Sequence, residues 1–223
     1  MAAITRLSHH PAAVVDRVAR AGLWLLPAYG LLLALGTLTH QPDYAADFDG
    51  YARYVTTGGF LAGHLLASIG GAGLGVLGAT AACAYLVRGP APRLALAGLT
   101  GTVMGNVVTA SVFGAAAFAQ PAIGRAYLDG AAGVVPLNDD VYGTPLVLTA
   151  VVGLLLLAAG AVLLGMSLRR SGLRGPGLAY AVLLPLFAVA GFTVEVAQPV
   201  AAVGLAVAAV LIARRLPAAV TGE

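Results

Sequence analysis

Three ionisable residues lie where an ionisable residue is expensive. His40, His64 and Glu195 each sit inside or at the edge of a long apolar run. Imidazole and carboxylate groups held together in such surroundings support four kinds of chemistry. They can relay a proton, ligate a metal, hold a haem between facing imidazoles, or lock two helices through a buried hydrogen bond. Ser68 follows His64 by four residues, and Asn106 and Gln198 add neutral amides to the same apolar runs. The candidate binding set is therefore His40, His64, Ser68, Asn106, Glu195 and Gln198. No residue is assigned to a metal: three or four ligands are needed, and neither HxxxH nor HExxH occurs. Asp47-Phe48-Asp49-Gly50 lacks the spacing and the terminal Glu of a calcium loop.

The elements that must position these residues follow from composition. Of 223 residues, 60% are hydrophobic and only 9% charged, against about 25% charged in a soluble domain. With a mean hydropathy of +0.92, the chain has too few charges to cover its own outside, and a lipid bilayer must do so. The apolar runs are continuous rather than alternating, which predicts helices and not a barrel. They fall at 22–39, 60–87, 94–119, 144–168, 178–197 and 199–213. The last two come from one stretch of 36 residues, 178–213. As a single helix it would be about 54 Å long, against a hydrocarbon core of about 30 Å, so a hairpin at Gln198-Pro199 is expected. The fold class is an all-α bundle of six transmembrane helices within 22–216. Segment 1–21 precedes it, with Val14, Val15 and Val18 on one side of a helix lying at the membrane surface, and a tail, 217–223, follows it.

Orientation comes from arginine. The chain has no lysine, and ten of its twelve arginines face one side if both termini are cytoplasmic; only Arg53 and Arg125 face the other. The loops on that outer side carry Asp43, Asp47, Asp49, Asp129, Asp139 and Asp140, with several tyrosines. His40, His64 and Glu195 then share a similar depth, near the outer ends of three helices. His64, Ser68, Gly71, Gly75, Gly78 and Ala82 recur at steps of three and four, forming one helical stripe. The third run answers with Gly98, Thr102, Gly105 and Thr109, with Asn106 beside them. Small residues let helices approach closely in lipid, so the second and third spans are expected to form the close-packed centre.

Several functions are excluded. The arginines are dispersed, with no basic, aromatic-laced surface for nucleic acid. A single Cys83 rules out an internal disulfide and a CxxC redox pair. No GxxxxGK[ST] or GxSxG motif occurs, the Gly-rich stretch from Gly70 to Gly78 lies inside an apolar span and reads as packing rather than a phosphate cradle, and without lysine there is no Schiff base. Absent lysine with abundant Ala, Gly, Pro and Val points to a GC-rich coding sequence, hence a bacterium and its plasma membrane. Three functions remain. One is a structural or assembly subunit, in an oligomer or beside a partner membrane subunit, whose polar residues only lock helices. Another is binding or transport of a small molecule or proton through an outward-facing polar pocket. The third is a membrane-embedded enzyme using a metal or haem in the same pocket.

Overall fold

The computed structural model describes residues 11–38, 41–190 and 196–221; His40 and Glu195 lie outside these segments. The described residues form helices and turns, with no strand among them. Helices α1 (Pro11–Gly22) and α2 (Leu25–Gly36) are separated by a short break. After a loop come α3 (Phe48–Val55) and α4 (Gly58–Ala62). The latter passes through a π-helical segment, Gly63–Gly70, into α5 (Gly71–Leu86). Then follow α6 (Pro92–Leu128), α7 (Val134–Val141), α8 (Thr144–Arg170), α9 (Arg174–Ala190) and α10 (Ala197–Thr221).

Among the described residues, five stretches are long and apolar enough to cross a membrane: Ala13–Gly36, Gly58–Leu86, Pro92–Leu128, Val134–Arg170 and Ala197–Val220. Helix α9 is apolar but shorter, at 17 residues. Their outward faces are bare hydrocarbon. Leu66 is 67% exposed and Leu155 65% exposed, and Val107, Leu148 and Val203 are also exposed. Water does not tolerate a belt of this kind; lipid does. This is a helical membrane protein.

Local sequence explains where the elements depart from expectation. The first polar loop contains a helix, α3, because Asp47 caps it: its side chain accepts from Gly50 N at 2.8 Å. The residues superficially like a calcium loop are thus a helix start. Helix α6 runs past residue 119 to Leu128 because its last turns are buried against α3. A methyl group at Gly124 would lie 2.8 Å from Val55 Cγ2. Helix α10 begins at Ala197, ahead of the expected Gln198-Pro199 hairpin. Pro199 lies in the first turn of α10, where its missing N–H costs nothing.

The close-packed centre differs from the expected one. Glycines of α6 meet α8, not α5: a methyl group at Gly98 would stand 2.6 Å from Leu164 N, and one at Gly101 2.9 Å from Gly160 Cα. Gly105 meets Leu157 N more closely still, and Gly160 meets Thr102 N. The small stripe of α5 instead receives α2, with Gly75 under the Tyr29 ring and Gly78 against Leu26. Each helix carries small residues on a face, and sequence shows the face without the partner. At one end of the bundle the short turns interlock. Ser167 Oγ donates to Ala91 O at 3.2 Å, and Arg88 reaches Asp16 of α1 at 3.9 Å.

Backbone against backbone cannot yield. Gly160→Val should therefore destabilise the protein by about 1–3 kcal/mol through overpacking. Gly114, also helical, has nothing within 4 Å of an added methyl, so Gly114→Ala should stabilise by about 0.5–1 kcal/mol. Thermal unfolding in lipid nanodiscs checks both signs.

Candidate functional site

Inside hydrocarbon a hydroxyl has no water to bond, and most here return to their own helix. Thr80 Oγ1 donates to Val76 O at 2.8 Å, Thr100 to Leu96 O at 3.0 Å and Thr149 to Pro145 O at 2.8 Å. Thr102 Oγ1, pressed against Gly160, is buried without a partner, as is Ser171 Oγ near Gly89. The remaining polar groups of interest share another property: they border one cavity.

This cavity has a volume of about 400 Å³ and lies between α2, the π-helical segment with the start of α5, α6, α8, α9 and the start of α10. It occupies the half of the bundle nearer the acid-bearing loops, because α2 contributes its last residues and α10 its first. Leucines of α2 and α8, with Val112 and Phe113 of α6, make most of the wall. Thr37, Ser68, Asn106, Thr109 and Gln198 supply neutral polar groups, and no charged side chain among the described residues lines it.

Each polar group is fixed by its own backbone. Asn106, 3% exposed, donates from Nδ2 to Thr102 O at 2.8 Å. A carbonyl only accepts, so this bond sets the amide orientation and leaves Oδ1 as an acceptor with no hydrogen bond in the described protein. Thr109 Oγ1 donates to Gly105 O, and Thr37 Oγ1 to Ala34 O at 2.7 Å. Gln198 Nε2 points to Phe187 O at 3.4 Å, tying the start of α10 to the end of α9. Tyr29 was not among the sequence candidates. It borders the cavity, is 3% exposed, has its ring seated on Gly75, and its hydroxyl makes no hydrogen bond in the described protein. The signal for it was present: a phenol inside an apolar run needs a partner as Asn106 does.

The structure brings Ser68, Asn106 and Gln198 to one cavity. His64 stands behind its wall: its ring lies 4.2 Å from that of Phe60 and 6.3 Å from that of Phe113, centre to centre, and Phe113 is the lining residue. Its Nδ1 bonds Phe60 O at 3.1 Å, so Nδ1 carries the proton and Nε2 is the acceptor. The stripe that was to join His64 to Ser68 assumes α-helical geometry. Between them the helix is π-wound, and Gly71 N reaches back five residues to Leu66 O. Within this stretch His64 packs on the Phe60 ring, whereas Ser68 reaches the cavity. Such π-helical stretches are common at functional sites. His40 and Glu195 lie outside the described residues. Among those described, no three His, Cys, Asp or Glu side chains gather to hold a metal.

A cap of rings closes this end of the bundle. Phe48 packs on Tyr51 and Tyr127, and Tyr54 meets Phe60, which continues through His64 to Phe113. Tyr51 is fully buried, and its hydroxyl donates to Asn138 Oδ1 at 3.2 Å, fastening α3 to α7. Burial raises the Tyr51 pKa above its ordinary value, and neighbouring Tyr142 and Tyr44 charges raise it further.

Compared with models of protein families, with curated proteins and with solved structures, the chain matches none of them. The site is therefore read from its own residues.

The Tyr51 shift has a direction in pH. The folded state favours the protonated phenol, so this contribution is complete below about pH 10, the unfolded value, and is lost as pH rises beyond it. Thermal midpoints between pH 8 and 11 should fall more steeply for the native protein than for Tyr51→Phe. At neutral pH that variant should cost about 1–3 kcal/mol, by leaving the buried Asn138 carbonyl unmet.

Proposed function

We propose that this chain is a multi-pass protein of a bacterial plasma membrane that binds a small, mostly apolar molecule in the cavity between its helices. On this reading six helices cross the bilayer, both termini are cytoplasmic and the cavity belongs to the outer half. Helix α9, at 17 residues, is about 26 Å long, and slight local thinning of the bilayer accommodates it. The distribution of arginines supports the orientation.

One observation carries the binding reading: a cavity of about 400 Å³, mainly apolar, with a few neutral polar groups converging from separate helices. Ligand sites have this composition and size. Asn106 also differs from a simple helix lock, which bonds across helices: it bonds only its own helix and keeps an acceptor in reserve.

Native mass spectrometry of protein carried from cell membranes into nanodiscs tests this. The native protein should retain one small molecule, and Ala150→Phe and Ala188→Phe, which fill the cavity from two helices, should lose it without losing the fold. A native protein with nothing bound, alongside variants that melt at higher temperature, would instead identify a purely structural subunit.

Topology is checked separately. An alkaline phosphatase fused within residues 129–133 should be active, and one fused after residue 223 inactive. The opposite pattern would invert the assignment and place the cavity on the cytoplasmic side.

A further inference from the structure

The geometry points to a definite class of ligand: a neutral molecule with a hydroxyl head and an apolar body, the head held between Asn106 and Tyr29. This rests on the reading of the cavity as a binding site and adds the chemistry that site selects.

Each lining group has a definite hydrogen-bonding capacity left. Asn106 has committed one of its two amide hydrogens to Thr102 O and presents the other with Oδ1. Thr109 and Thr37 have committed their hydroxyl hydrogens to Gly105 O and Ala34 O, leaving only lone pairs. Gln198 directs one Nε2 hydrogen to Phe187 O and keeps the other, with Oε1. Tyr29 and Ser68 are the described lining side chains whose hydroxyl hydrogens bond nothing in the described protein. The polar part of the wall thus keeps both acceptors and donors unused.

A ligand group must meet both kinds. A ketone, ester or ether brings only acceptors and would leave Asn106 Oδ1 buried and unmet, which costs more than the bond itself would gain. A carboxylate or phosphate needs cations or several N–H donors, and a cation needs a carboxylate; the described lining residues offer neither. A hydroxyl satisfies both sides. It donates to Asn106 Oδ1 and accepts from the Tyr29 phenol. The leucines of α2 and α8 and the Phe113 ring then receive a hydrocarbon body. Both polar residues are 3% exposed and on different helices, so each is held in place by packing and each can be varied alone.

Photolabelling tests the assignment on the full chain in native membrane vesicles. The probes are a ten-carbon alkyl diazirine alcohol and its methyl ether, carboxylic acid and primary amine, with labelled peptides mapped by mass spectrometry. The alcohol should label peptides containing Tyr29 and Asn106, compete with unlabelled decanol, and bind about tenfold more tightly than the ether, the equivalent of one hydrogen bond. Asn106→Leu should reduce the alcohol to the level of the ether and leave the ether unchanged. Tyr29→Phe removes a single oxygen and should weaken the alcohol several-fold, which keeps the test valid should Asn106→Leu fail to fold. Equal binding of alcohol and ether, or preference for the acid or amine, overturns the hydroxyl assignment while the cavity stands as a site. Absence of saturable labelling by any probe overturns the binding reading itself.

Discussion

Hydrocarbon cannot hydrogen-bond, and the rest of this structure follows from that. A polar group in such a solvent must find its partner in the protein. The cheapest partner is the carbonyl one turn back, and Thr80, Thr100 and Thr149 all use it. Against that background, a polar atom that is buried and unengaged becomes informative. Asn106 Oδ1 and the Tyr29 hydroxyl have no hydrogen bond in the described protein, and both residues border the same space.

The same solvent decides how helices meet. With lipid as apolar as leucine, association depends on contact area, and glycine supplies it by letting backbones touch. Gly98, Gly101, Gly105 and Gly160 clamp α6 to α8, while Gly75 and Gly78 seat α2 on α5. These two clamps hold four walls of the cavity at fixed separation. The π-helical stretch Gly63–Gly70 and the rings of Phe60, His64 and Phe113 fill the corner between them. Cavity and close contacts are therefore two results of one packing arrangement.

Much of this was legible in the amino-acid order. Composition and run length alone indicate a helical membrane protein, and Ser68, Asn106 and Gln198 are visible as polar interruptions of apolar runs. The rest was hidden for identifiable reasons. A stripe of small residues names a contact face but not the helix that fills it, so α6 was paired with the wrong neighbour. The spacing of His64 and Ser68 implies a shared face but not a shared neighbour: Ser68 meets the cavity and His64 the Phe60 ring. Asp47 sits in a stretch resembling a ligand loop, yet its carboxylate caps α3, a local bond that composition does not reveal. Tyr29 was masked by its leucine-rich surroundings, although its hydroxyl obeys the same rule that exposed Asn106.

The most direct test is a high-resolution cryo-electron microscopy map of the protein in nanodiscs made from its own membrane lipids. The account predicts non-protein density in the cavity, within about 3.2 Å of both Asn106 Oδ1 and the Tyr29 hydroxyl. A cavity collapsed by side chains, with those two atoms bonded to each other or to protein groups, would contradict it.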